Sequence, residues 1–189
     1  MPPAEDLRRA RIRRIVTVVL FLLALYLLGR FTGLSQWLSV EQVRQRVESA
    51  GAWGPASFIA VFVTGVIVQI PAVPLVLASP ALFDPFEAWL WCLLAGNIAV
   101  LANFALVRHL GGQALAQSES AWLRKLLASI DRHPVRTVAM VRTIAVMLPP
   151  VTSALALTGL RPRDHFVGSL IGLPLPVALL VGAGALLMR

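Results

Sequence analysis

Two stretches, IPAVPLVLASPAL at residues 70–82 and LPPVTSALALTGL at residues 148–160, decide how this chain folds. They align without gaps, with Pro71/Pro149, Val73/Val151, Leu77/Leu155, Ala78/Ala156 and Leu82/Leu160 identical. Proline lacks an amide hydrogen and clashes with the preceding turn, so neither stretch can be one continuous helix. Each is followed by an apolar run of similar length. The pattern reads as an internal repeat whose unit is a broken hydrophobic segment plus a span.

The rest of the chain sets the solvent for that repeat. Of 189 residues, 58% are hydrophobic and 14% charged, against roughly a quarter charged in an ordinary soluble domain. Disorder requires low hydrophobicity, and a disulfide scaffold requires more than the single Cys92. An all-α integral membrane protein remains. The net charge of +8 could suggest nucleic-acid binding. However, Arg8, Arg9, Arg11, Arg13 and Arg14 immediately precede the first apolar run, where topology places positive charge, and no nucleic-acid module accompanies them.

Residues 1–14 read as a basic cytoplasmic N-terminus and 15–38 as a first transmembrane helix, too long for a signal-peptide core. Residues 39–51 form an amphipathic helix expected on the membrane surface. Ser39 and Gln42 make its capping box, Leu38 and Val43 its staple, Val40, Val43 and Val47 its apolar face, and Gly51 its C-cap. The membrane domain is expected over 53–188: a broken stretch at 53–83, a span at 85–108 capped by Asp84 and Glu87, and an amphipathic cytoplasmic linker at 109–133. A second broken stretch follows at 134–160, and then a span at 165–188 kinked by Pro174 and Pro176. In the linker, Trp122, Leu123, Leu126, Leu127 and Ile130 share a face.

Counting Lys and Arg chooses between topologies. With Arg142, which lies within a broken stretch, left out of both counts, five full crossings leave seven cationic residues inside and nine outside; three crossings with both broken stretches re-entrant give twelve inside and four outside. The second arrangement obeys the positive-inside rule. Each repeat unit then crosses an odd number of times, so the two units are inverted and their re-entrant hairpins opposed. Secondary transporters use that architecture, and irregular backbone at the tips requires a protected or water-filled setting. The expected location is the cell (inner or plasma) membrane, multi-pass, with the N-terminus cytoplasmic. A homo-oligomer is compatible with the pattern.

Arg142 is the first candidate for the site. It lies about seven residues into the second broken stretch, roughly 10 Å deep, where charge is costly and functional; the competing reading is snorkelling or a structural ion pair. Beyond Pro149 and Pro150 a short helix begins, with Thr152 and Ser153 placed to cap it and its N-terminus suited to an anion. Arg142 adds a guanidinium able to fork onto phosphate. Asn97 and Arg108 share a face of the 85–108 helix, and Gly96 and Asn103 a neighbouring one. Interhelical hydrogen bonding competes with substrate contact for the asparagines, and interfacial anchoring for Arg108. Gln69 is a weaker candidate near the first tip. Asp84 and Glu87 are helix caps first and proton-coupling groups second. His109, His133 and His165 fall at cytoplasmic boundaries without metal-ligand spacing, Cys92 reads as packing, and no catalytic motif is present, so neither an enzyme nor a cofactor is expected.

These residues carry a resemblance. Gly51 and Gly54-Pro55, IPAVPLVLAS, the span closing in NFALVRHLGG, an arginine in a second re-entrant element, and PPVTSALALTGL resemble the DedA / VTT-domain superfamily, also called the SNARE-associated Golgi protein family. The likeness covers roughly residues 50–188 and is closest to the yeast-Golgi-like branch. It implies two opposed re-entrant hairpins and lipid movement across bilayers, such as undecaprenyl phosphate recycling or phospholipid scrambling. It also makes Arg142 the arginine of the second hairpin and Arg108 the one ending the preceding span. The acidic residue of the DedA branch's first hairpin is absent around Leu75, and Ser79-Pro80 replaces the usual glycine. Val151 stands near the place of a second arginine, and Arg142 sits about two residues early relative to Gly159. The expected function is therefore a transporter or flippase for a phosphate-bearing lipid with an anionic headgroup. The alternatives are a proton- or ion-coupled exporter of small cations or drugs, using Asp84 or Glu87, and a non-transporting membrane adaptor.

Overall fold

The computed structural model describes residues 4–31, 40–112, 128 and 130–188, and among these no strand occurs. The helices are α1 (Ala4–Phe31), α2 (Val40–Ser49), α3 (Gly54–Ile67), α4 (Val73–Ala78), α5 (Pro85–Gly111), α6 (Pro134–Ala145), α7 (Pro149–Ala156), α8 (Pro162–Gly172) and α9 (Pro174–Leu187). Five of them open on proline at their first position, where its missing N–H costs nothing and its fixed φ suits the helix. The proline-rich stretches therefore set the helix boundaries.

Helix α5 has 27 residues and, among the described residues, is the one uninterrupted helix long and apolar enough to cross a membrane. It runs on to Gly111, past the expected end at 108, and stops where Gly112 takes φ 58°. Asp84 occupies its N-cap position, but its side chain makes no capping bond. The final segment begins at Pro162 rather than 165; α8 and α9 pass the same test together, bent by 42°, as Pro174 led us to expect. The helices of the two broken stretches are shorter. At 1.5 Å per residue α3 spans about 21 Å, α6 about 18 Å and α7 about 12 Å, against a hydrocarbon core of about 30 Å. The end of the expected first span, the Ser39 cap with its Leu38 staple, and most of the 109–133 linker lie outside the described residues.

The two broken stretches turn in the same way. After α3, Gln69 has φ 65°, and after α6, Val146 has φ 47°. Both are non-glycine residues in the left-handed region, which is a strained choice for β-branched valine, costing about 1–3 kcal/mol. Packing follows an exchange pattern. Helix α3 packs on α5 and α6 on α8, whereas α4 packs on α9 and α7 on α5. The first helix of each broken stretch thus rests on the span that follows it, and the second helix rests on the span of the other unit.

Two apolar clusters hold this arrangement. One joins Phe58, Phe62, Val66, Val76, Cys92, Ala99, Met147 and Val177. The other joins Val18, Phe104, Val107, Val138, Leu155 and Leu160. On α5 the first cluster ends at Val100 and the second begins at Phe104, with fully buried Asn103 between them. Helix α2 does not simply lie on the surface: Val43 and Val47 are buried, and α2 packs on α3 where Gly54 meets Val47. Helix α8 approaches α6 through Gly168 and Gly172, at a spacing that lets membrane helices touch. Large apolar side chains on α1, α5, α8 and α9, among them Leu20, Leu28, Phe86, Leu94, Leu170 and Leu179, face outward. A hydrocarbon solvent explains so much exposed apolar surface.

Candidate functional site

Arg142 stands three residues before the end of α6 and is 0% exposed, the largest fully buried side chain described. Its guanidinium is held from three directions. Nη1 donates to the Val146 carbonyl oxygen at 3.2 Å and to Thr152 Oγ1 on α7 at 2.9 Å. Nε donates to Ser169 Oγ on α8 at 3.2 Å, and Nη2 to His165 Nε2 at 3.0 Å. Every one of these acceptors is neutral, and among the described residues no carboxylate pairs with Arg142. A cation taken out of water without a counter-charge costs several kcal/mol even when hydrogen-bonded, so the arrangement stores a demand for an anion.

His165 extends the cluster. Arg142 can only donate, so Nε2 accepts and Nδ1 carries the hydrogen, yet Nδ1 has no partner among the described residues. A buried donor left in this way costs about 1–3 kcal/mol. The imidazole packs on Phe104 with ring centroids 4.4 Å apart, and the Arg108 guanidinium lies 4.9 Å from the centre of the same ring. His165, expected at a boundary, stands in the first turn of α8 and is 0% exposed. Together with Gly168, Ser169 and Gly172 it lies on the buried face of α8 turned toward α6. That stripe, HFVGSLIG at 165–172, is the signal that could have found it.

A second polar chain meets the first at α7. Gln69 Nε2 donates to Asn103 Oδ1 at 3.2 Å, and Asn103 Nδ2 donates to Ser153 Oγ at 3.4 Å. Ser153 adjoins Thr152, so polar side chains run from the first turn through α5 to Arg142. The structure thus brings together Arg142, Thr152, Ser153, Gln69 and Asn103 from the sequence candidates, and adds His165 and Ser169.

The other candidates go elsewhere. Arg108 donates to the carbonyls of Ala156, Thr158 and Leu160. It caps the C-terminus of α7, where a helix favours a cation. Asn97 donates to the Leu93 carbonyl on its own helix at 2.8 Å, and its buried Oδ1 has no partner among the described residues. Asp84 and Glu87 are exposed at the start of α5, and Glu87 lies about 25 Å along the helix from Phe104. The helix N-terminus behind Pro149 and Pro150 also needs correction as an anion site. Its first two residues are prolines with no N–H, and the amides of Val151 and Thr152 already donate to the Leu148 carbonyl. Helix α7 starts one turn before Thr152, so Thr152 and Ser153 are not caps and face the polar chains instead.

Among the described residues, cavities open on both ends of α6, and Arg142 lines none of these. An apolar groove of about 380 Å³ lies between α6 and α7, lined by Val141, Ile144, Val151 and Ala154 among others. A basic cleft of about 490 Å³ at the start of α6 is lined by Arg132, His133, Arg136 and Ile171. Arg142 therefore sits in an occluded position, one residue from the groove wall at Val141.

No curated protein and no solved structure matches this chain. A protein-family model, the VTT domain, matches residues 70–186, an interval that contains the second half of the first broken stretch, all of the second, α5 and every residue bonded to Arg142. Members of that family are membrane proteins proposed as transporters or flippases. With the match extending over more than half of the sequence, the chain belongs to the VTT-domain family.

Proposed function

We propose that this protein translocates a phosphate-bearing lipid across the membrane, with Arg142 as the headgroup ligand. The observation that carries the reading is a fully buried guanidinium, held only by neutral acceptors at a helix break. Phosphate supplies the missing charge and the flat pair of oxygens that a guanidinium forks onto. The apolar groove beside it suits a hydrocarbon chain, either acyl or polyprenyl.

In this reading the two broken stretches are re-entrant, because their helices are too short to cross singly and the arginine count favours three crossings. Translocation requires no covalent step, so the protein acts as a transporter rather than an enzyme, in the plasma membrane with its N-terminus cytoplasmic. The missing carboxylate near Leu75 aligns it with the yeast-Golgi-like branch. It also argues against proton coupling in the first hairpin.

Reconstitution into liposomes tests this. Translocation of a fluorescent phospholipid or a polyprenyl phosphate should fall at least about tenfold in Arg142→Gln and recover in part in Arg142→Lys. A folded, monodisperse Arg142→Gln protein that translocates at the parental rate would overturn the proposal. Cation-driven pH changes abolished by Asp84→Asn would favour an exporter instead.

A further inference from the structure

An arginine guanidinium has two edges on which parallel N–H bonds can point at two oxygens of a phosphate, Nε–Nη2 and Nη1–Nη2. The second is compromised here because Nη1 already donates to Val146 and Thr152; the first is the edge that an anion could take. In Arg142 that edge is filled by two side chains of a single helix: Ser169 Oγ on Nε at 3.2 Å and His165 Nε2 on Nη2 at 3.0 Å. The remaining nitrogen, Nη1, is tied to the α6–α7 turn by Val146 and Thr152. The guanidinium is therefore anchored on one side by its own broken stretch, while α8 occupies its fork.

We infer that His165 and Ser169 are internal stand-ins for the oxygens of a phosphodiester or phosphomonoester, which binds by displacing them from the Nε–Nη2 edge. They are positioning residues that set affinity by competition. The inference rests on Arg142 being the headgroup ligand. A second observation points the same way: His165 Nδ1, which must carry the hydrogen, is buried without an acceptor among the described residues. Displacing the ring from Arg142 frees that donor from its unpaired position, so part of its cost is recovered when the anion binds. The charged groups facing His165 are Arg142 from α6 and, across Phe104, Arg108 from α5. Both favour an incoming anion.

Competition has an unusual signature, because deleting an internal acceptor should tighten binding. The full chain in detergent would be titrated calorimetrically with a short-chain phosphatidylglycerol, whose phosphodiester keeps one charge across the working pH range. Inorganic phosphate and an uncharged diacylglycerol would be titrated alongside. His165→Phe fills the same space without an acceptor and should bind phosphatidylglycerol about tenfold more tightly than the parent, the factor expected for one hydrogen bond to a charged group. His165→Gln keeps an acceptor at nearly the same reach and should stay within about twofold. Ser169→Ala, a substitution that leaves packing almost untouched, should tighten binding about threefold to tenfold and serves if His165→Phe fails to fold. Equal or weaker binding in Ser169→Ala and in folded His165→Phe would overturn the inference while leaving the Arg142 reading intact. Phosphatidylglycerol binding that survives Arg142→Gln would remove that reading itself. Tightening seen with inorganic phosphate as well would assign the site to the phosphate group alone; tightening confined to the lipid would assign it to headgroup and chain together. Either result keeps the competition.

Discussion

Adding one methyl group at Gly172 tests the α6–α8 contact on which the Arg142 cluster depends. A Cβ there would lie 2.8 Å from Ala139 Cα and 2.8 Å from Arg142 Cβ, and nearer still to the Ala139 carbonyl oxygen. Two of those three atoms are backbone and cannot rotate away. Restoring ordinary carbon contacts of at least about 3.5 Å requires the helices to part by about 0.7 Å. That stretches the Arg142–Ser169 bond, now 3.2 Å, past hydrogen-bond range. Overpacking of this kind costs about 1–3 kcal/mol, against a gain of about 0.5–1 kcal/mol from alanine's better helix propensity. The net loss of about 1–2 kcal/mol corresponds to a fall in Tm of about 2–8 °C for a chain of this length. Gly182 is the control, since a Cβ there meets nothing within 4 Å. Gly182→Ala should leave Tm unchanged or raise it by about 1–4 °C. Thermal unfolding of both purified variants in the same detergent decides the matter. If Gly172→Ala is as stable as Gly182→Ala, the close α6–α8 approach is wrong, and the geometry of Arg142 falls with it.

Arg108→Gln leaves the carbonyls of Ala156, Thr158 and Leu160 without their shared donor, and should cost about 3–5 kcal/mol in thermal unfolding. Arg108→Lys should recover less than half, because one ammonium cannot span three carbonyls. Asn103→Leu breaks the link between Gln69 and Ser153. It should cost only about 0.6–2 kcal/mol of stability, yet slow lipid translocation in liposomes several-fold; an unchanged rate would detach this chain from the pathway. Cys92 is 0% exposed and should resist thiol reagents in the folded protein. Once Cys92 is replaced by alanine, single cysteines at positions 84 and 161 should label from opposite sides of the membrane. Labelling from one side would restore the five-crossing topology.

Much of this fold was legible because proline chemistry is local. Pro85, Pro134, Pro149, Pro162 and Pro174 each open a helix, and a proline's effect on its own backbone needs no knowledge of the tertiary structure. That the Arg142 side chain leaves water was legible from its place within an apolar run. Its partners were not, because contact between α6 and α8 depends on the rotation of each helix about its axis, which hydropathy leaves open. His165 therefore reads as a boundary residue although it is buried against Arg142. Arg108 reads as a surface anchor for a similar reason: its three carbonyls belong to the end of α7 and the segment that follows it, about fifty residues later. The anion site at α7 was a different kind of error. Pro149-Pro150 removes the donors such a site needs, and that was visible in the sequence once amide hydrogens were counted instead of the helix dipole alone.

The exchange of packing partners gives the Arg142 cluster its leverage. Because α7 rests on α5 and α4 on α9, the two turns are held by each other's spans, and a shift of α8 need not disturb the α5–α7 contact. Arg142 bridges these bodies: Nη1 belongs to the α6–α7 turn, while Nε and Nη2 reach α8. An anion that takes the fork therefore leaves the turn tied and releases His165 and Ser169. With them it removes the polar bonds between Arg142 and α8, while the glycine contacts at Gly168 and Gly172, the Thr143 hydroxyl's bond to the Gly172 carbonyl and the packing of α8 on α5 remain. Helix α8 meets α9 at the 42° bend around Leu173, a break already present in the backbone about which such a release can act. On the reading proposed above, headgroup binding and loss of the Arg142–α8 bonds are one event. A buried arginine without a carboxylate suits that role, because a permanent ion pair would keep the fork closed.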